Sequence, residues 1–271
     1  MNILTNFIIP MVKEQLDATA DWLKKSTYEH WKEYRIRKCL SLEKTDCAII
    51  LPTYIKKLHN QIDDIPMCPL VDVESATNIM DLIHTAGLPY QKSIIYENTY
   101  SMLFAQYNVF CIGGSLANRY SYDLFQQFFP TFKLYATLKK CRTNPNKIPS
   151  SHFIVSESKI GFRWGNSPND EFLVAPDERY AIIVKLTKED FKSKKHGTVY
   201  ILFGNGVEGT LAISKYLLFN YKDLNKLINS QKHCFVAFKV KTATGIIDTD
   251  SFLDLTNQLF CNAYYLNQRK H

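Results

Sequence analysis

Two apolar stretches of this chain each run into a glycine turn and then into a helical pattern. Val109-Phe110-Cys111-Ile112 leads into Gly113-Gly114-Ser115-Leu116-Ala117-Asn118. Val199-Tyr200-Ile201-Leu202-Phe203 leads into Gly204-Asn205-Gly206-Val207-Glu208-Gly209-Thr210. A strand that turns through glycines into a helix start leaves backbone N–H groups without acceptors at the positive end of the helix dipole. Phosphates and other anions bind in such places. Of the chain's 10 glycines, Gly113, Gly114, Gly204, Gly206 and Gly209 sit in these two turns. The chemistry on offer is recognition of a nucleotide-like ligand.

Gly204-x-Gly206-x-x-Gly209 has the dinucleotide fingerprint spacing, with a strand before it and a helix after it. Glycine there permits positive φ, close approach of a pyrophosphate, or close packing of helix on strand. Ligand binding and a purely structural tight turn are both open readings. The next strand, Cys234–Val240, is flanked by Lys239 and Lys241 and carries no acidic ribose ligand; Asp223 falls in the helical connection. In the first turn, Ser115 and Asn118 offer hydrogen bonds and Arg119 offers a phosphate or carboxylate clamp. Asn118 and Arg119 equally suit a solvated helix surface. Glu208 suits two roles: an anion that stabilises a cation-like transition state, or a dipole partner in a first helical turn. Asp72 and Glu74 open another helix, where they would cap it or reach ribose hydroxyls. Tyr54 is placed to stack on a base. The chain shows no Ser-His-Asp order, H-E-x-x-H or G-K-[ST], which removes the kinase and NTPase readings.

The pairing of strand-Gly-Gly-Ser with a later strand-Gly-x-Gly-x-x-Gly-Thr resembles the Rossmann-like superfamily of "lonely guy" nucleotide phosphoribohydrolases and their nucleotide-sensor relatives. In that superfamily the two turns lie on adjacent strands and hold phosphate and ribose. A glutamate after the Gly-Thr pair assists N-glycosidic cleavage, and members without it act as sensors. Here Phe203 replaces the family proline, and Leu211-Ala212-Ile213-Ser214 follows Gly209-Thr210 with no carboxylate. Glu208 precedes the pair instead, faintly similar to the helix-start glutamate of nucleoside deoxyribosyltransferases. The resemblance implies a sensor or regulatory module for NAD or another nucleotide. Its alternatives are an NAD or nucleotide glycohydrolase using Glu208, and a scaffold that keeps the fold without a ligand.

The elements that must position these turns follow from hydrophobic periodicity. Residues 11–42 read as a helix with Leu16, Ala20, Leu23, Thr27, Trp31 and Tyr34 on one face, either packed on its own domain or serving as an oligomerisation arm. Cys47–Leu51 is an unbroken apolar run of the kind found in strands buried on both faces. A helix over 72–86 is followed by Gly87 as C-cap. Strand 108–112, a helix over 120–129, strands 180–186, 198–203 and 234–240, and helices over 210–219 and near 224–228 complete an alternating pattern. His152–Ser156 and Ile160–Trp164 predict a hairpin in an insertion over about 141–178. Ser251–Tyr265 reads as helix. The expected fold is α/β: a Rossmann-like, mostly parallel sheet with helices on both faces. It comprises an N-terminal helical extension (1–42) and one α/β domain (43–271).

A net charge of +7 suits an anionic partner, but the lysines are scattered without the concentrated stripe of a nucleic-acid surface. The 7 cysteines include no C-x-x-C, and no histidine stands at ligand spacing from one, so a reduced, cytoplasmic protein without a metal site is expected. No apolar stretch is long enough to span a bilayer. The opening segment lacks a basic region and carries Pro10, so no secretory signal is expected.

Overall fold

Runs without polar interruption make poor surface strands, because both faces of the pleat are apolar and both must be covered. β1 (Cys47–Ile50), β5 (Asn108–Ile112) and β11 (Val199–Gly204) are such runs, and they form the middle of a seven-stranded sheet. The computed structural model describes residues 9–52, 54–56, 65–93, 107–137, 152–192, 197–227 and 233–260. In chain order the remaining elements are α1 (Ile9–Leu40), β2 (Tyr54–Lys56), β3 (Ile65–Met67), α2 (Leu70–Thr85), β4 (Tyr90–Ser93) and α3 (Arg119–Phe128). Then come β6 (Lys133–Ala136), β7 (Phe153–Val155), β8 (Gly161–Arg163), β9 (Glu171–Leu173), β10 (Glu178–Leu186), α4 (Gly206–Leu227), β12 (Cys234–Lys241) and β13 (Ile246–Asp254).

The sheet order is β13-β12-β10-β11-β5-β1-β4. β4, β1, β5 and β11 are parallel, whereas β10 is antiparallel to both β11 and β12, and β13 is antiparallel to β12. The protein is therefore mixed α/β, with a parallel half and an antiparallel half. Chain order reverses at β1, since β4 lies on one side of it and β5 on the other. Such a reversal opens a crevice at the carboxyl edge of the strands.

Alternation along the strands sorts two cores. Ile49, Phe110, Ile112, Tyr200 and Leu202 pack with α2, α4 and the end of α1. Ile50, Val109, Cys111, Ile201 and Phe203 pack on the other face with Phe125 of α3, Leu134 and Phe162. The second core is phenylalanine-rich: Phe125, Phe129, Phe132 and Phe235 meet at ring-centroid distances of 5.1–6.1 Å.

Three expectations are corrected. β7 and β8 do not form a hairpin: β6 lies between them, parallel to β7 and antiparallel to β8, in a separate sheet ordered β7-β6-β8-β9. That sheet begins at Lys133, before the supposed insertion; the turn residues at 144–146 lie outside the described residues. The segment read as helix from 251 opposes β12 as the end of β13 over 251–254 and turns helically over 256–260; 261–265 lie outside the described residues. The helices expected over 210–219 and near 224–228 both form, as the two parts of α4 on either side of the kink at non-helical Asn220. Finally, Trp31 and Tyr34 of α1 are 53% and 56% exposed, while Ile36 and Leu40 are the residues that enter the core. Leu16, Ala20 and Leu23 lie outside the described side chains.

α1 is nevertheless fastened at its end. The Lys185 ammonium donates to Ser41 Oγ (2.9 Å), Thr198 Oγ1 to the Ser41 carbonyl (2.5 Å) and Tyr200 OH to the Leu40 carbonyl (2.8 Å). A cation there also meets the negative end of the helix dipole. Burial lowers the Lys185 pKa from 10.5 to about 8. With the folded pKa depressed, the stability from this group is full above about 10.5 and lost as pH falls to about 8, a swing of about 3 kcal/mol. Urea unfolding at pH 8 and 10 should show the wild type gaining stability relative to Lys185→Met as pH rises; parallel behaviour of the two would contradict the assignment.

Candidate functional site

Each glycine of the two turns stands where a side chain would collide or strain. Gly113 has φ +93° and Gly206 has φ +76°. A Cβ on Gly114 would lie 2.6 Å from the Phe203 ring. Gly204 and Gly209 face one another backbone to backbone, and a Cβ on either would lie 2.4 Å from the Tyr180 carbonyl oxygen. α4 thus starts in direct contact with the ends of β11 and β10. Thr210 Oγ1 accepts from the Gly204 N–H (3.2 Å), and the Asn205 N–H donates to the Tyr180 carbonyl (3.0 Å).

The first turn is joined to the second because its strands are neighbours: the Gly113 N–H donates to the Leu202 carbonyl (2.9 Å). Asn118 holds the turn in shape. Its Oδ1 accepts from the N–H groups of Tyr120 (3.0 Å) and Ser121 (3.4 Å), capping α3, while its Nδ2 donates to the carbonyls of Ile112 (2.9 Å) and Ile50 (3.3 Å). Every hydrogen-bonding position of its amide N–H groups is thereby used, so Asn118 is a tie among β1, β5 and α3. Ser121 Oγ donates to the Gly113 carbonyl (2.7 Å), and the Gly114 carbonyl accepts from Ala117 (3.0 Å) and Asn118 (2.9 Å). The carbonyls of Gly113 and Gly114 are consumed internally, while the N–H groups of Gly114, Ser115 and Leu116 meet no acceptor among the described residues. Backbone nests that hold anions are built from successive N–H groups of this kind. Val207 and Glu208, in the first turn of α4, contribute N–H groups that have no intrahelical acceptor.

Ser115 is buried in this turn. Arg119 is half-exposed: its Nε is 3.3 Å from Asp123, and its guanidinium lies 4.8 Å from the Tyr122 ring centroid, along the surface of α3. A half-exposed ion pair of that kind is weak enough to rearrange. Glu208 folds back over its own turn, with Oε2 2.9 Å from the position a Cβ on Gly206 would take and 3.8 Å from Arg179 Nε. The carboxylate therefore lies against a cation at a helix start, the dipole-partner arrangement. Beyond it, an open groove of about 920 Å³ runs between α4 and the turn joining β12 to β13, lined by Glu208, Leu211, Lys215, Phe219, Thr244 and Ile246. None of Gly113–Arg119 lines it.

α2 starts at the same edge, since it follows β2 and β3 in the crossover from the carboxyl end of β1 and ends at the amino end of the parallel β4. Its N-cap is Pro69, with no side-chain capping hydrogen bond, so neither Asp72 nor Glu74 caps the helix in that way. Glu74 is exposed, whereas Asp72 is only 7% exposed and burial raises its pKa from 3.8 to about 6. One turn along the same face, Ser75 Oγ is fully buried without a hydrogen-bond partner. The sequence named Asp72 as a cap or ribose ligand but gave no sign that it would be inside. Tyr54 belongs to β2, and its side chain lies outside the described residues.

No cluster of three metal-ligating side chains occurs among the described residues, and no described helix is long and apolar enough to cross a membrane. The free cysteines Cys47, Cys111 and Cys234 are buried, and burial pushes each thiol pKa up to about 12, where it is an inert apolar group at neutral pH. Compared with known proteins, the chain matches no family model, no curated protein and no solved structure.

Gly209→Ala should destabilise the protein by about 2 kcal/mol or more, because its Cβ meets fixed backbone; a urea midpoint equal to wild type would refute that packing role. Asp72 gives a second test. Its folded pKa is raised, so its stability contribution is full below about 3.8 and lost as pH rises to about 6, a swing of about 3 kcal/mol. Asp72→Asn should therefore match or exceed wild-type stability at pH 7, and its advantage should shrink toward pH 4.

Proposed function

We propose that the two glycine turns of this Rossmann-like domain bind the anionic part of a nucleotide-like ligand, and that the chain is a binding or sensing module. The observation that carries this reading is the nest at Gly114–Leu116 set beside the first turn of α4 on hydrogen-bonded strands. Two sets of N–H donors at one sheet edge give a small anion several directed hydrogen bonds, and the helix starts add favourable potential. The resemblance of the two motifs to nucleotide phosphoribohydrolases and their sensor relatives points the same way. NAD, ADP-ribose and nucleoside phosphates are the ligand classes it favours.

Glycosidic cleavage is the weaker alternative. A glutamate that assists departure of a base must reach the anomeric carbon, and the Glu208 carboxylate is turned back onto Gly206 and Arg179. In that position it competes with a ligand anion for the same helix start.

Thermal unfolding against NAD, ADP-ribose, AMP, ATP and cyclic dinucleotides tests the reading, with chromatography of each sample for released base. Saturation at about 100 times Kd adds about 2.7 kcal/mol, a rise of several degrees in Tm. At least one ligand should produce that rise and be recovered intact. Released base would favour the glycohydrolase, and no rise at millimolar concentration with any ligand would leave the turns structural. Glu208→Gln should bind the active ligand as well as wild type or several-fold tighter, since it removes a competing charge; loss of binding would overturn the role given to Glu208.

A further inference from the structure

One face of α1 carries rings and cations with no carboxylate among them. Lys24, Tyr28, Trp31, Tyr34, Arg35 and Lys38 recur at spacings of three and four, so they line one side of the helix. All six are exposed, and Tyr28, Trp31 and Tyr34 show 60%, 53% and 56% of their surface. Large exposed rings grouped on one face mark an interaction surface. The Arg35 guanidinium lies 5.1 Å from the Trp31 ring centroid. A shallow hollow of about 500 Å³ opens among Lys24, Thr27, Tyr28 and Trp31.

The carboxylates of the same stretch are on the other side. Glu29 precedes the buried Ile36 by seven residues and so shares its face, toward the domain. Glu33 packs at the end of α2: a Cβ on Gly87 would lie 2.5 Å from its carboxylate, and its Oε2 is 3.7 Å from Arg37. Residues 24–38 hold six basic and two acidic side chains, so they supply +4 of the chain's net +7. Along the chain these cations alternate with glutamates and form no block. The helix turns Lys24, Arg35 and Lys38 to one side, and Arg35 and Lys38 make no ion pair among the described residues.

A second copy of the helix fits this face poorly. Antiparallel pairing about Trp31 sets Lys24 against Lys38, and parallel pairing sets each cation on its own copy. Like charges brought together in that way cost affinity. A lipid surface also fits poorly, because a helix lying in a bilayer interface keeps its cations opposite its apolar residues. Here rings and cations interleave on one face, with no aliphatic side chain among them to enter the acyl region. Interleaving matches a single-stranded nucleic acid, whose bases stack on rings while its phosphates meet cations.

We propose that this face of α1 binds a single-stranded nucleic acid, with bases stacked on Tyr28, Trp31 and Tyr34 and phosphates held by Lys24, Arg35 and Lys38. The rings follow one another along the helix in steps of about 4.5 Å, and Lys24 and Lys38 stand about 21 Å apart. That span accommodates a short run of nucleotides. The surface is separate from the glycine turns, and neither reading depends on the other.

Fluorescence anisotropy of the full chain with labelled oligo(U) and oligo(dT) tests the face. Wild type should bind at low salt, and log K should fall against log salt with a slope of about −2, as three phosphate contacts to a single strand give. Trp31→Ala and Tyr34→Ala should each weaken binding about tenfold with little change in Tm, since both rings are exposed. Lys38→Gln should reduce the slope by about 0.7. Lys226→Gln, an exposed cation of α4 outside the strip, should leave binding and slope as in wild type. No binding at low salt, or binding that survives both ring variants, overturns the proposal. Equal affinity for a duplex also overturns it, because paired bases offer no free faces to the rings. Co-sedimentation with phosphatidylcholine–phosphatidylserine vesicles and sedimentation velocity of the protein alone cover the other occupants. Vesicle capture that Trp31→Ala abolishes, without binding of either oligonucleotide, reassigns the face to a lipid surface. A dimer abolished by the same variant reassigns it to a second copy.

Discussion

The contact between Gly204 and Gly209 is the constraint on which the rest of the molecule depends. Two backbones without side chains between them let α4 begin against the Tyr180 carbonyl, so the helix is set by main-chain atoms that cannot repack. α2 then packs along α4, and the end of α1 closes the same face with Ile36 and Leu40. The height at which α4 starts fixes which of its N–H groups come beside the turn after β5. Without that close approach the two turns would belong to separate elements. With it they share one sheet edge.

The opposite face is held by a different kind of bond. Asn118 is a single side chain engaged with β1, β5 and α3 together, and it acts through directed hydrogen bonds rather than contact area. Its amide was a candidate ligand donor in the sequence, yet its N–H groups are spent on the strand ends. The residues that shape the nest and the atoms that line it are therefore distinct: side chains of Asn118 and Ser121 hold the carbonyls, and the backbone of Gly114–Leu116 presents the donors. A pattern of residue types identifies such a turn, but it does not tell which polar atoms remain available.

What the sequence disclosed and what it hid divide along one physical line. β1, β5 and β11 were legible because a strand buried on both faces has no polar interruption, and β10 and β12 because their apolar runs are broken only by Lys185 and Lys239. α2 was legible from its periodicity and from Gly87, whose φ of +65° ends it. β7 and β8 were read as strands but paired wrongly, because their order in the sheet does not follow the chain, and β6 and β9 were missed, because strands of three or four residues carry too little pattern. The end of β13, 251–254, was mistaken for helix and its start went unread, because its burial alternates poorly at the edge of the sheet; the turn at Gly245, φ +63°, was the missed signal. The glycine turns could be read locally. The burial of Asp72 and Ser75 could not, since it depends on how α2 slides against α4.

α1 has a mechanical meaning that follows from its fastening. A helix of 32 residues is a rod of about 48 Å. Its last turn is tied through Lys185 of β10, through Tyr200 of β11 and through Thr198 just ahead of it, and β10 and β11 stand third and fourth in a sheet of seven strands. A load applied to the rod therefore enters at the centre of the sheet and at the edge opposite the glycine turns. Because β10 and β11 are each hydrogen-bonded to a strand on both sides, that load is shared among neighbouring ladders rather than falling on an edge strand.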